Sequence, residues 1–237
     1  MAWTLVTGGA KRLGADICIN LASAGYDVVV HYNTSHSEAI NTVEKCRSYG
    51  VQADLIQGDF SSLDGVLNFS ERYLEQFGET ENLINNVGNY IIKSALQTTT
   101  EEWMSLFQTN LNAPFILIKK LIPSIITHKG SIMNIGVVGA EHLHANLYST
   151  VYLLTKMSLL ALTRSLAKEL APEGIRVNMV SPGLLDISVD IEEFLNKTPM
   201  HKAASCEEVS RVVTFLLDRK NGYITGQNIE IAGGLGL

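Results

Sequence analysis

The stretch 3-WTLVTGGAKRLG-14 decides the fold. Four strand-forming residues, Trp3 to Val6, run into a threonine and two glycines, and a helical pattern begins at once. A strand that turns directly into a helix through glycines is the opening of a βαβ unit. The glycines permit a tight turn and close backbone approach, and the free N–H groups of the helix N-terminus form a seat for a pyrophosphate. The spacing of Gly8, Gly9 and Gly14 is not the general G-x-G-x-x-G dinucleotide fingerprint, so these glycines take their meaning from their place after the first strand.

Working outward, the same alternation fills the chain. Short β-branched runs at 3–6, 28–31, 53–57, 83–85, 131–135, 176–180 and 228–231 predict strands. Helical patterns lie near 12–24, 36–49, 62–77, 101–128, 150–170 and 206–218. Strand-helix alternation of this kind predicts an α/β fold, a single Rossmann-type doubly wound domain whose seven-stranded parallel sheet is flanked by helices on both faces. No linker, repeat or low-complexity segment interrupts residues 1–237, which read as one domain with a short substrate-covering segment at 184–204.

Two of the helices carry more apolar residues than a sheet can cover. Residues 101–128 include Trp103, Met104, Leu106, Phe107, Leu111, Phe115 and Ile116, and 150–170 include Leu153, Leu154, Met157, Leu159 and Leu160. Neither set fits one narrow stripe, and a helix apolar nearly all round is buried on more than one side. A partner subunit is the expected cover, which makes the protein a homo-oligomer, dimer or tetramer, through these helices.

Bulk composition bounds the rest. A net charge of -6 and the lack of any long Lys/Arg run argue against a nucleic-acid surface. The first residues, M-A-W-T-L-V-T-G-G, read as a strand and not as a signal peptide, and every apolar run is too short to span a membrane. Cys18, Cys46 and Cys206 are far apart with no C-x-x-C spacing, as expected of reduced thiols in a cytoplasmic protein.

The end of the second strand separates the two nicotinamide cofactors. An NAD site typically places a carboxylate there to accept from the adenosine ribose. Here the strand ends in His31, Tyr32, Asn33, Thr34 and Ser35, with no acid. Lys11 and Arg12 offer the positive charge that a 2′-phosphate needs, and Thr34 and Ser35 offer donors. NADP(H) is the expected cofactor.

Farther along, Tyr152 and Lys156 in Y-L-L-T-K are four residues apart, on one helix face. A phenol beside an ammonium is suited to deliver a proton to a carbonyl being reduced, because the ammonium favours tyrosinate and should lower the tyrosine pKa. With these residues in view the chain resembles the short-chain dehydrogenase/reductase family from end to end. T-G-G-A-K-R-L-G is similar to that family's T-G-x-x-x-G-x-G loop with Arg12 at the middle glycine. Asn85-Asn86-Val87-Gly88 resembles its N-N-A-G strand end, Asn110 falls at its helix asparagine, and Tyr152…Lys156 is its Y-x-x-x-K pair. Asn178 to Gly183 resembles its proline-glycine turn, and Y-I-T-G-Q-N-I-E-I-A-G-G its closing segment.

The resemblance implies an oxidoreductase with Asn110, Tyr152 and Lys156 as catalytic residues. The implied cofactor residues are Gly8, Lys11, Arg12, Leu13, Gly14, Tyr32, Asn33, Thr34, Ser35, Asp59, Phe60, Asn86, Val87, Gly88, Lys156, Pro182, Gly183 and Leu185. Within the family, A-K-R-L-G followed by H-Y-N-T-S is most similar to the pteridine reductases, which use NADPH to reduce pterins. The 3-oxoacyl-[acyl-carrier-protein] reductases are the other near branch.

One part is missing. Such sites hold a second donor, a serine or, in pteridine reductases, an aspartate, shortly after the asparagine of the central strand. Counting from Asn134 reaches Gly136 or Val137, and counting back from Tyr152 reaches Gly139. None is a donor, and the mismatch of the two counts implies a loop about two residues longer than usual. Tyr148, Ser149 and Glu141 are the candidate substitutes. Three readings stay open: a reductase of pterin-like or small carbonyl substrates, a 3-oxoacyl-[acyl-carrier-protein] reductase, and a cofactor-binding relative without catalysis. An enoyl reductase fits less well, since Tyr148 and Lys156 are one residue too far apart for that pattern. His142 and His144 form an H-x-H without further ligands, so no metal is expected. The acids Asp186, Asp190, Glu192 and Glu193 within 184–204 suit an anionic carrier-protein substrate poorly.

Overall fold

The computed structural model describes residues 2–237. Strands β1 (Trp3–Val6), β2 (Val28–Tyr32), β3 (Ala53–Gln57), β4 (Thr80–Asn85), β5 (Ser131–Ile135), β6 (Arg176–Pro182) and β7 (Asn228–Ile231) form one sheet in the order β3-β2-β1-β4-β5-β6-β7. Every pairing is parallel. After β3 the chain returns to the middle of the sheet to lay β4 beside β1. In sheets of this kind the crevice between such a pair, at the carboxyl ends of the strands, is where ligands bind.

The helices α1 (Arg12–Ser23), α2 (His36–Arg47), α3 (Leu63–Phe77), α4 (Thr100–Phe107), α5 (Ala113–His128), α6 (Thr150–Leu170), α7 (Ile191–Phe194) and α8 (Cys206–Leu217) cover both faces. Successive strand residues point to opposite sides, and the core divides accordingly. Val6, Val28 and Val30 pack with Ile17, Leu21, Val43, Val209 and Val213 of α1, α2 and α8. Leu5, Val29 and Leu83 pack on the other face with Phe69, Tyr73, Leu117 and Leu121 of α3 and α5. Each such side chain, fully withdrawn from water, contributes about 1.5–3 kcal/mol of transfer free energy.

Two elements differ from the sequence expectation in instructive ways. β4 starts at Thr80, not Leu83, although Thr80, Glu81 and Asn82 are polar. The buried Thr80 hydroxyl meets Tyr73 Oη at 3.1 Å, and Asn82 bonds Thr4 Oγ1 at 3.1 Å and the Ser131 amide at 3.0 Å. Paired polar groups can be buried in a strand at little cost. The predicted single helix over 101–128 is two helices, α4 and α5, joined by a π-helical turn at Gln108–Asn112. Such turns insert one residue into a helix and are common at functional sites.

Candidate active site

The glycine turn is set by three backbone constraints. Gly8 has φ +64°, in the left-handed region. At Gly14 a Cβ would sit 2.0 Å from the Gly8 carbonyl oxygen, so only glycine fits. Arg12, at the family's middle-glycine position, also adopts a left-handed φ of +52°. An L-residue there costs roughly 1–2 kcal/mol, a strain glycine would avoid. The amide of Gly8 donates to Nδ1 of His31 at 3.0 Å, and Asn86 Nδ2 donates to the Thr7 and Gly8 carbonyls, so β2 and the end of β4 both brace the turn.

Two cavities meet over this turn, sharing Gly8, Lys11 and Val87. The smaller, about 260 Å³, holds Tyr32, Asn33, Thr34, Ser35, Asp59 and Phe60. The larger, about 500 Å³, holds Arg12, Leu13, Gly14, Asn86, Gly88, Tyr152, Lys156, Pro182, Gly183 and Leu185. Every cofactor-binding residue anticipated from the sequence therefore lines this pair of cavities. No carboxylate lies at the end of β2. Asp59, from the end of β3, is engaged by the Ser61 amide at 2.9 Å and by Asn33 Nδ2 at 3.5 Å. A two-lobed cavity with a helix N-terminus and Lys11 at its waist, and Arg12 beside them in the larger lobe, fits a dinucleotide carrying an extra phosphate.

Tyr152 and Lys156 share one face of α6. Lys156 Nζ is buried, donates to the Ile135 carbonyl at 2.8 Å and lies 5.7 Å from the centre of the Tyr152 ring. Burial lowers the lysine pKa to about 8. Burial, and then the carboxylate of Asp190, raise that of Tyr152 well above the ordinary phenol range. The sequence led us to expect that Lys156 lowers the tyrosine pKa. Instead, desolvation dominates at both groups, raising the tyrosine and lowering the lysine.

Asn110 sits in the π-helical turn and is fully buried. Its Nδ2 donates to the Asn89 carbonyl at 2.9 Å and to Thr155 Oγ1 at 3.0 Å, and its Oδ1 accepts from the Asn89 amide at 2.7 Å. It stands behind the cavity wall: a Cβ placed on Gly88 would lie 3.5 Å from its Oδ1 and 3.4 Å from Lys156 Nζ.

Comparison with known proteins agrees with this arrangement. A family model described as enoyl-(acyl carrier protein) reductase matches residues 8–236. The chain is 32% identical over 240 residues to the 3-oxoacyl-[acyl-carrier-protein] reductase FabG of Staphylococcus epidermidis, covering 98% of this chain and 97% of that protein. The chain belongs to the short-chain dehydrogenase/reductase family. It is an oxidoreductase of that family. Among solved structures, a blue fluorescent protein from a metagenomic library in complex with NADPH is 28% identical with a TM-score of 0.92, covering 100% of this chain and 98% of that one. A short-chain dehydrogenase from Burkholderia cenocepacia in complex with NADP is 26% identical at the same TM-score of 0.92, again over 100% and 98% of the two chains.

Against the pattern of short-chain dehydrogenases, the departure at the second donor now has a place. Gly136 cannot carry a side chain, because a Cβ there would fall 2.3 Å from Ser181 Oγ. Gly139 turns away, its amide donating to Glu230. Val137 is the residue on the cavity wall beside Tyr152. An isopropyl group stands where a hydroxyl or carboxylate was expected. Of the substitutes considered, Glu141 is ion-paired to Arg164 and lines neither cavity at Tyr152. Ser149 and Tyr148 line a further space of about 350 Å³ that opens beside Tyr152. His144 Nδ1 bonds the His142 carbonyl at 2.7 Å, and among the described residues no three metal-ligating side chains gather.

Two residues at this site were not singled out from sequence for the part they play. Tyr90 packs edge-on against Tyr152, ring centres 4.7 Å apart, and its hydroxyl donates to Asp190 Oδ2 at 2.9 Å. Asp190, read from sequence only as one of four acids, reaches into the site from the 184–204 segment. No spacing rule could have paired them, since they are 100 residues apart in the chain. Among the described residues no helix is long and apolar enough to cross a membrane.

Proposed function

We propose that the protein is an NADPH-dependent reductase of a small carbonyl or pterin-like substrate, with Tyr152 as the proton donor. The observation that carries this reading is the meeting of Tyr152 and Lys156 at the end of the cavity that runs over the glycine turn. Two structural relatives are complexes with NADPH or NADP, Lys11 lines the smaller cavity beside Thr34 and Ser35, and Arg12 lines the adjoining one, so that both would offer charge to the extra phosphate of such a cofactor. Bound NADPH supplies a hydride. Lys156 and the turn at Pro182–Gly183 border the space where a nicotinamide would sit, and Tyr152 faces the same space from α6.

The protein's own part is proton delivery. As the substrate carbon takes the hydride, its oxygen or nitrogen gains charge and takes the phenolic proton of Tyr152. A tyrosine whose pKa is raised stays protonated at neutral pH, which is the state a reductase needs before hydride transfer. Lys156 limits the cost of the transient tyrosinate, and the buried Asn110 fixes the chain at Asn89 and Thr155 around it. With Val137 in place of a second donor, loss of oxyanion-type stabilisation would make the enzyme slow by ~10²–10³ on unactivated ketones.

The 3-oxoacyl-[acyl-carrier-protein] reductase reading draws on the FabG relatives, and the carboxylate of Asp190 inside the site speaks against it. The cofactor-binding relative without catalysis draws on Val137. The 184–204 segment would cover the substrate. The apolar faces of α4, α5 and α6, where Trp103, Met104, Phe115 and Leu154 are exposed, would form the contact between subunits. The -6 charge and three reduced, buried cysteines fit a cytoplasmic protein.

Following NADPH absorbance at 340 nm against dihydrobiopterin, dihydrofolate, an acetoacetyl thioester and activated diketones tests the proposal. Oxidation with a pterin or diketone supports it. Oxidation with the thioester alone moves the protein to the acyl reductases, and tight NADPH binding without oxidation by any of the panel favours the non-catalytic relative.

A further inference from the structure

The space of about 350 Å³ beyond Tyr152 has an unusual wall. Four aromatic rings border it in two edge-to-face pairs: Tyr90 against Tyr152 at 4.7 Å, and Tyr148 against Phe194 at 5.2 Å. Between them stands one carboxylate, Asp190, and no lysine, arginine or histidine lines this space. Asp190 Oδ2 accepts from Tyr90, and among the described residues Asp190 forms no ion pair. Asp190 also lines the adjoining cavity, where Lys156 has its Nζ committed to the Ile135 carbonyl.

A carboxylate without an ion-pair partner among aromatic rings is complementary to a cation. Aromatic faces attract cations, most strongly where water is excluded, and a carboxylate adds a direct charge partner. Phe194 already displays this behaviour toward the solvent side, where Lys197 Nζ lies 4.5 Å from its ring centre. The field of Asp190 is felt across the space: after burial it contributes to raising the pKa of Tyr152 and of Tyr90, and it adds to burial and the hydrogen bond with Glu193 in pushing Tyr148 up to about 12.

We infer that this space binds a cationic nitrogen on the substrate, so that the substrate is a small ketone or imine bearing an ammonium group, held by Asp190 within the rings of Tyr90, Tyr148 and Phe194. The inference rests on the reductase reading for the reaction, though not for the binding. A bound cation would offset the charge of Asp190 beside Tyr152 and so ease proton release as the hydride arrives. The same charge would disfavour anionic substrates, which gives Asp190 a role in discrimination as well as in affinity.

Two matched pairs test this. The first is non-reducible: choline and its neutral isostere 3,3-dimethylbutan-1-ol, titrated by calorimetry into the NADPH-loaded protein. The second is reducible: acetonyltrimethylammonium and its isostere 4,4-dimethylpentan-2-one, followed by NADPH oxidation. The wild type should prefer the cationic member about tenfold or more in Kd and in kcat/KM, a size expected of a cation held by rings and a carboxylate. Asp190→Asn keeps an oxygen acceptor for Tyr90 and should bring both ratios to within about threefold of unity. Equal binding of choline and the alcohol by the wild type, or a preference unchanged in Asp190→Asn, overturns the proposal. Reduction of the neutral ketone with no cationic preference sinks the proposal and leaves the reductase reading standing. Selective binding of choline with no oxidation of either ketone supports the cation site and counts against the reductase.

Discussion

The amide of Gly8 donates to Nδ1 of His31 across 3.0 Å, and the opposite ring nitrogen, Nε2, lies 3.1 Å from the Gly58 carbonyl. The first bond requires an unprotonated Nδ1, so the second must be an Nε2–H donation, and the tautomer is fixed by its neighbours. The ring is stacked on Phe60 at 4.2 Å and wholly buried. One neutral imidazole thus ties the pyrophosphate turn to β2 and to the end of β3.

This makes the turn acid-sensitive. Burial lowers the His31 pKa to about 4, outweighing the Gly58 carbonyl and Asp59, which act to raise it. The unfolded chain takes up a proton below ~6.5 while the folded chain does not, so the stabilisation is complete above that pH and is lost as pH falls toward 4. The expected loss over that window is roughly 3 kcal/mol. Urea midpoints at pH 7 and pH 4.5 should show it in the wild type and show much less of it in His31→Gln. An equal pH dependence in both would remove His31 as its source.

Tyr152→Phe should lower turnover by ~10²–10⁴, the range for loss of a general acid. NADPH affinity should change less than threefold, because the phenol borders the cofactor space without supplying charge to it. Fluorescence titration of NADPH beside the turnover assay separates the two, and retained turnover would dismiss Tyr152 as the acid.

Arg12→Gly removes a left-handed arginine and a cation together. The backbone strain released, about 1–2 kcal/mol, is largely offset by the greater unfolded-state freedom of glycine, so Tm should move by only a few degrees. Affinity for NADPH should fall about tenfold or more, as for a lost charge-assisted hydrogen bond, with little change for NADH. Equal losses for both cofactors would show that Arg12 does not meet the 2′-phosphate.

Val137→Ser places a hydroxyl on the wall beside Tyr152. If the valine is what limits the reaction, reduction of unactivated ketones should speed up by ~10². An unchanged rate would mean that stabilisation of the developing charge already comes from elsewhere in the site.

Much of this was legible in the sequence because it rests on local chemistry. The glycine turn, the strand ends and Y-L-L-T-K each declare themselves within a few residues, and β-branched runs place five of the seven strands to within a residue. Thr80–Asn82 was hidden because its polar side chains are satisfied only by Tyr73, Thr4 and Ser131, partners that folding brings up. Gly136 and Val137 could not be told apart until Ser181 and Met179 were seen to occupy the space behind the glycine. Tyr90 and Asp190 had no local mark at all, since their meeting depends on how the 184–204 segment folds back over the sheet.

The widened turn at Gln108–Asn112 has an effect beyond holding Asn110. In an unbroken helix, at about 100° per residue, Trp103 and Phe115 would point some 120° apart. Absorbing one residue in the turn brings them to within about 20° of each other. Both are exposed, at 40% and 46%. The insertion that aims an asparagine inward therefore also re-phases the outer surface of α4 and α5 into one aromatic strip. A deletion that straightened the helix would disturb the setting of Asn110 and this exposed strip in a single stroke.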